Sequence, residues 1–256
     1  KKNTVDILII SNLVSRDSLK KDLYFGNLKK ILDKNEIKTI KVFRNFTNKS
    51  STELSKLTNN SNIVFSKSTE YSTELKFLYL TLKEMFLFIF FRKYSSIKKY
   101  IDLKDFLSII SNLRLINQIE ELIKIFKPKV IIFTYEGHAW ERLLVNLCKT
   151  KYKWITSVGY QFSPIKDNQI GFFRKLKNDY NPDYLAVSGQ KTFNQIINRI
   201  NFTKVFKLGS PNFIKKKIKR KKIKNLLVAL DSEPSELFKM TNFCIDFASK
   251  NNEFNI

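Results

Sequence analysis

Val130-Ile131-Ile132-Phe133-Thr134-Tyr135-Glu136-Gly137-His138-Ala139-Trp140-Glu141-Arg142 passes from a β-branched apolar run, through a short polar turn, into a helical pattern. An unbroken apolar run reads as a strand covered on both faces, because a half-exposed strand would alternate with polar residues. The rhythm then repeats. Ala139–Thr150 reads as a helix, Trp154–Val158 and Tyr184–Val187 as strands, Lys191–Ile200 as a helix and Lys204–Leu208 as a strand. Strands alternating with helices predict βαβ units, a mainly parallel sheet and right-handed crossovers that place helices on both faces. The expected fold class is α/β, a doubly wound, Rossmann-like sheet.

Upstream, Val5–Ile10 is another strand of the buried type, followed by the polar loop Ser11–Asp17 and a helical pattern through Leu23, Leu28, Ile31 and Leu32. Ile37–Phe43 reads as a second strand, Ser50–Asn62 as a polar helix or loop, and Ile63–Phe65 as a short third strand. Glu74–Arg92 is the most hydrophobic segment, but its uninterrupted part, Met85–Phe91, is too short to span a bilayer. It fits either a buried helix or an interfacial helix whose aromatic face enters lipid beside Arg92, Lys93, Lys98 and Lys99. Leu103–Phe126 reads as a long or broken helix. The basic stretch Lys215–Lys224 precedes a fresh buried-type strand, Leu226–Leu230, and a helix opening at Asp231-Ser232-Glu233-Pro234. The expected organisation is therefore a domain over 1–214, a basic linker over 215–224 and the start of a second α/β domain over 225–256. The first residues, Lys1-Lys2-Asn3, lack Met and a signal-peptide pattern, and Asn251–Ile256 closes no element, so both ends read as trimmed.

The 256 residues carry a formal charge of +24, with 47 Lys and Arg against 23 Asp and Glu. Such a balance invites nucleic acid or an anionic membrane as partner. The charge is mostly Lys, whereas bidentate reading of phosphates and bases favours Arg. Anionic ligands or an anionic membrane surface fit better than nucleic acid. The two cysteines, Cys148 and Cys244, lack metal-type spacing and read as reduced thiols of a cytosolic protein.

In an open parallel sheet, ligands bind beyond the carboxyl ends of the strands. Four such ends carry polar residues or glycine: Tyr135–Arg142, Gly159–Pro164, Ser188-Gly189 and Gly209-Ser210-Pro211. They share one edge if the strands run the same way. Trp140, Leu143, Leu144 and Leu147 are spaced i, i+3, i+4, i+7, which assigns Trp140 to the buried stripe of a helix. Glu141 complements the positive end of that helix, and Arg142 needs an anion or a carboxylate there. Gly137 permits a tight backbone path and close approach of a ligand. His138, the single histidine, has an intrinsic pKa suited to general-base work, and Glu136 either orients it or is itself the base. Gln161 and Ser163 can donate to sugar hydroxyls, and Tyr160 can stack on a sugar ring; ordinary turn chemistry accounts for them as well. Glu141, Ser188, Gly189, Gly209 and Ser210 complete the candidate substrate-binding set by their position.

At these residues the chain resembles bacterial surface-carbohydrate biosynthesis proteins, which themselves resemble glycosyltransferases with two Rossmann-like domains (the GT-B architecture). The resemblance rests on Tyr135–Arg142, on Gly159-Tyr160-Gln161 and on Leu208-Gly209-Ser210-Pro211, within the span 127–225. The family pattern has a Glu, then Trp-Glu a few residues on, and a Gly-x-Gln-His segment after the next strand. Phe162 stands where that second histidine would be, which shifts its role to His138 or counts against activity. The resemblance implies a front domain that holds the acceptor and supplies the base, and a rear domain that holds a nucleotide-sugar donor. It implies no other cofactor. No Gly-x-Gly-x-x-Gly, Walker loop or Asp-x-Asp pair occurs in the chain.

The expected activity is transfer of a sugar from a nucleotide-sugar donor to a glycan or lipid-linked acceptor, in the cytoplasm, either free or peripheral at the inner face of the cell membrane. Glu136 or His138 would deprotonate the attacking hydroxyl, while Gln161, Ser163 and Arg142 position the acceptor. The alternatives are a nucleotide-sugar epimerase or polyol-phosphate transferase of the same architecture, or a non-catalytic membrane-surface scaffold in polysaccharide assembly.

Overall fold

The computed structural model describes residues 4–19, 21–56, 62–90, 103–163, 165, 169–210 and 234–251. Among them, β1 (Ile7–Leu13), β2 (Thr39–Asn45), β3 (Asn62–Val64), β4 (Val130–Thr134), β5 (Thr156–Gln161), β6 (Tyr184–Val187) and β7 (Lys204–Lys207) form one seven-stranded sheet. Its order is β3-β2-β1-β4-β5-β6-β7, and every neighbouring pair is parallel. The helices that join them are α1 (Leu28–Lys34), α2 (Ser51–Ser55), α3 (Tyr71–Phe90), α4 (Leu103–Phe126), α5 (Ala139–Thr150), α6 (Ile170–Phe173) and α7 (Gln190–Ile197). This is the doubly wound, Rossmann-like α/β fold.

Alternate side chains of a strand point to opposite faces, so an all-apolar strand needs cover on both. Leu8, Ile10, Val42, Ile131, Phe133, Leu185 and Val187 pack on one face against Ile119 and Ile123 of α4, Trp140, Leu144 and Val145 of α5 and Ile196 of α7. Ile9, Tyr160 and Ala186 turn the other way, against Phe25 and against Leu28 and Leu32 of α1. Burying each large apolar side chain contributes about 1.5–3 kcal/mol. From β1 the chain winds outward to β2 and β3, then returns past β1 to β4 and on to β7. The winding therefore reverses between β1 and β4. In sheets of this type that reversal opens the ligand crevice beyond the carboxyl ends.

The loop after β1 is pinned by Asp22, which is almost fully buried. One of its oxygens, Oδ1, accepts from Ser11 Oγ at 2.9 Å and from the amides of Tyr24 and Phe25 at 2.8 and 3.0 Å. The other, Oδ2, pairs with Lys41 Nζ of β2 at 2.8 Å. Lys41 is buried as well, so losing either partner would strand a charge away from water. The pair fixes Tyr24 and Phe25 beside the sheet.

Some elements depart from the sequence-based expectation. The second strand starts at Thr39 rather than Ile37, because Glu36 takes a positive φ of 61° and turns the chain just before it. The strand expected at Trp154–Val158 lies at Thr156–Gln161. A turn closed by Ile155 N–H to the Tyr152 carbonyl delays its start. Gly159, Tyr160 and Gln161 are thus strand residues, not a loop. Of the hydrophobic segment at Glu74–Arg92, the part up to Phe90 lies in the helix α3, and its described side chains are mostly not buried. Among its described side chains Phe77 and Thr81 are buried, while Tyr71, Leu75, Leu78, Tyr79, Leu82 and Phe86 are exposed. Arg114 of α4 holds α3 through a bidentate pair with Glu74, both contacts at 2.7 Å. The basic residues Arg92, Lys93, Lys98 and Lys99 lie outside the described residues. Among those described, no helix is long and apolar enough to cross a membrane.

The chain divides into two compact units, Lys1–Phe213 and Ile214–Ile256. The expected basic linker at 215–224 and strand at Leu226–Leu230 lie outside the described residues. In the second unit the described element is α8 (Pro234–Lys250), with Pro at its first position, where a missing N–H costs nothing.

Candidate functional site

The turn between β4 and α5 is built around one carboxylate. Glu141 sits in the first turn of α5, and its Oε2 accepts the amides of Glu136, Gly137 and His138 at 2.9, 2.7 and 2.8 Å. Three successive N–H groups curl around a single oxygen, which sets the path of the whole loop. Burial pushes the Glu141 pKa up to about 7, against the pull of these amides and of His138. Gly137 has φ +85°, and a Cβ there would overlap the Gly171 carbonyl. The close approach expected at Gly137 is therefore that of the α6 backbone, not of a ligand.

Arg142 is buried too. Its Nη1 donates to Asn181 Oδ1 at 2.7 Å and to the Tyr180 carbonyl at 3.2 Å, and its Nη2 donates to the carbonyls of Gly171 and Arg174 at 3.0 and 3.2 Å. It ties the segment around α6 to α5. The sequence reading had Glu141 and Arg142 meet substrate, and this corrects it: both are consumed in holding the loop. Trp140 is core as expected, 2% exposed, with its ring 6.0 Å from that of Phe133. The buried stripe of α5 runs through Trp140, Leu144, Val145 and Cys148, with Leu143 and Leu147 at its margins.

Four of the expected site residues form one hydrogen-bonded relay. Gln161 Nε2 donates to Ser163 Oγ at 3.3 Å, Ser163 Oγ donates to Glu136 Oε1 at 3.0 Å, and Glu136 Oε2 lies 3.3 Å from His138 Nε2. The His138 side chain is 60% exposed and that of Glu136 29%, so the relay runs from the interior to an accessible imidazole. The hydrogen bond to Glu136 holds the His138 pKa above its ordinary range, against burial and the nearby charge of Arg44. The same bond, helped by Ser163, holds Glu136 below the usual carboxylate range. Gln161 is fully buried and acts by orienting Ser163 rather than by meeting a sugar.

Tyr160, Gly209 and Ser210 belong to a different feature, a cleft of about 380 Å³ on the α1 face that is also lined by Tyr24, Phe25 and Leu28. The Tyr160 ring is 1% exposed and packs on Phe25, and its hydroxyl donates to the Gly209 carbonyl at 2.9 Å. It cannot offer a face to a sugar ring, as the sequence reading supposed. Tyr24, half-buried on the same cleft, is the better placed ring, and Phe162 meets it edge-on at 4.6 Å. Phe162 thus closes the space where the resemblance places a histidine. Ser188 follows β6, its amide bonded to the Gln161 carbonyl at 3.2 Å, and Gly189 caps α7 in extended backbone that any residue could adopt.

Two residues missed by the sequence reading stand at the winding reversal or beside it. Asn12, at the end of β1, bridges to β4 through Nδ2 to Thr134 Oγ1 at 3.4 Å, and its Oδ1 is buried without a protein partner. Gln161 Oε1 is in the same condition. Arg44, at the end of β2, lies 4.3 Å over the Trp140 ring. A polar residue breaking an apolar strand near its carboxyl end was the available signal for both. No group of three His, Cys, Asp or Glu with metal-site geometry occurs among the described residues. Compared with known proteins, the chain matches no protein-family model and has no significant match among the curated proteins.

Two outcomes follow from this geometry. Gly137→Ala should destabilise the fold by about 1–3 kcal/mol, from its left-handed backbone and the overlap with Gly171, measured as a lower urea midpoint. Glu141 has its carboxyl pKa raised on folding, so its share of stability is present below pH 4.5 and is lost as pH rises to about 7. Glu141→Gln should flatten that decline. Urea melts of both proteins across the interval would reveal it as a difference that shifts in favour of Gln with rising pH.

Proposed function

We propose that this chain is the acceptor-side part of a sugar transferase, in which the Glu136–His138 pair takes the proton of an acceptor hydroxyl. The hydroxyl oxygen attacks the anomeric carbon of a nucleotide-sugar, the bond to the nucleoside diphosphate breaks, and the proton passes to the imidazole. The observation that carries this reading is the Gln161–Ser163–Glu136–His138 relay beyond the carboxyl ends of β4 and β5, next to the winding reversal. A general base needs an accessible group held in one orientation by fixed partners. His138 is exposed, while both oxygens of Glu136 are engaged, so the imidazole receives the proton and Glu136 orients it. The net charge of +24 favours anionic donors and lipid-phosphate acceptors approaching from solution.

A second reading, docking on an anionic membrane surface, is favoured by α3. Tyr71, Leu75, Leu78, Leu82 and Phe86 are exposed and recur every three or four residues, which makes a continuous apolar stripe. The two readings are compatible, since a lipid-linked acceptor resides at such a surface.

In a transfer assay with labelled nucleotide-sugars, His138→Ala should lower kcat by about 10²–10⁴-fold. Activity should rise with pH as the imidazole loses its proton, and Glu136→Gln should move that rise to lower pH by releasing the hold on the imidazole. Full transfer by both variants, with an unmoved profile, would remove the assignment. For the membrane reading, Leu78→Ser with Leu82→Ser should weaken co-sedimentation with anionic vesicles by about tenfold or more. Neutralising Lys93, Lys98 and Lys99 should weaken it further, and equal binding to neutral vesicles would contradict the charge contribution.

A further inference from the structure

A polar pocket of about 350 Å³ opens beyond the carboxyl ends of β2 and β3, and its lining includes Arg44, Lys67, Ser111, Asn112, Arg114 and Gln118. Three cations line it, but they are not equivalent. Arg114 is committed to Glu74, whose carboxyl it holds down to about 2. Arg44 has no carboxylate within ion-pair distance and no acceptor for its N–H groups among the described residues. Its guanidinium is held between aromatic rings, 4.3 Å from Trp140 and 4.9 Å from Phe46. Burial lowers its pKa only to about 10, so it stays charged at neutral pH. Lys67 is exposed at the pocket rim, its Nζ donating to the Thr47 carbonyl at 3.1 Å, again with no carboxylate among the described residues. A half-buried, oriented cation with unused donors is costly unless an anion completes it.

We infer that this pocket is a phosphate site, taking a phosphate monoester whose charge meets Arg44 and Lys67. A monoester carries about −1.5 to −2 near neutral pH, which matches two cations that lack an ion pair among the described residues, where a carboxylate would match one. The planar fork of Arg44 suits two phosphate oxygens, and Lys67 supplies a mobile point charge. The amides of Asn112 and Gln118 and the Ser111 hydroxyl bring neutral polar groups to the same space. The size suits a single phosphorylated head rather than a polymer. This site stands on the pocket alone and is independent of the transfer reading. It is nevertheless felt at the imidazole: the charges acting on His138 are Glu136, Glu141 and Arg44, of which Arg44 opposes protonation. An anion on Arg44 offsets that opposition, and the coupling is reciprocal.

Titration calorimetry with inorganic phosphate should show saturable binding to the wild-type chain. Arg44→Gln and Lys67→Gln should each weaken it by about tenfold to a hundredfold, with Arg44→Lys intermediate. The single histidine gives one set of imidazole NMR signals, and saturating phosphate should raise its titration midpoint in the wild type but not in Arg44→Gln. Glycerol 3-phosphate and vesicles containing phosphatidic acid, with phosphatidylcholine vesicles as blank, distinguish a soluble ester from a lipid head group as source. Arg44 also stacks on Trp140, so thermal melts accompany each variant. Lys67→Gln touches only the exposed rim, and its binding constant decides the matter if Arg44→Gln does not fold. Absence of saturable phosphate binding by the wild type, or unchanged binding by Lys67→Gln, overturns the site.

Discussion

Strands β1 and β4 lie side by side with Ile7 opposite Val130 and Ile10 opposite Phe133, and both are covered above and below. Their backbone groups are satisfied only by parallel neighbours, and a parallel neighbour requires the chain to travel back along the outside of the sheet. The returns carry helices whose apolar side chains supply the missing cover. This one requirement brings all the strand carboxyl ends to a single edge, so residues far apart in sequence, such as Asn12, Arg44, Glu136 and Ser163, come to share it. In sheets of this type the winding reversal, here between β1 and β4, is where a ligand crevice opens.

On that edge, rigid and accessible parts are separated. Glu141, Gly137 and Arg142 spend their polar capacity on the protein itself: the carboxylate gathers three amides, the glycine admits the α6 backbone, and the guanidinium collects a side-chain oxygen and three carbonyls. Their burial lets the loop hold its shape without a ligand. His138, carried on the same loop, is left to face solvent, with the partly buried Glu136 holding it. Preorganisation of this kind is what a proton-transfer site needs, since an imidazole free to rotate would lose most of its effect. Arg44 links this edge to the neighbouring polar pocket by stacking on the tryptophan at the base of the same loop.

The architecture was legible because burial on both faces leaves an uninterrupted apolar run, and that signal is local. The Gln161, Ser163, Glu136 and His138 grouping was legible in kind, since it follows from four strand ends sharing one edge. The direction of each side chain was not. Glu141 looked like a surface complement to a helix end, yet three amides bury it. Arg142 seemed to require an anion, and carbonyl oxygens satisfied it instead. Tyr160 looked like a stacking platform because Gly159–Gln161 read as a loop, whereas one more turn before Thr156 moved it into the strand and into the core. For α3 the composition left a buried and an interfacial helix both open, and only one of its faces finds a neighbour among the described residues.

By itself, then, the order of apolar and polar residues determined the fold class, most of the strand and helix positions and the edge on which chemistry could gather, because these depend on periodicities of two to four residues. The tertiary structure alone decided which polar groups are spent inside and which remain free. That choice depends on contacts between segments tens of residues apart: Asp22 with Lys41, Arg142 with Asn181, Glu136 with Ser163, Arg44 with Trp140. A charged side chain has one set of hydrogen-bonding partners to satisfy, and only the folded chain determines whether protein or solvent supplies them.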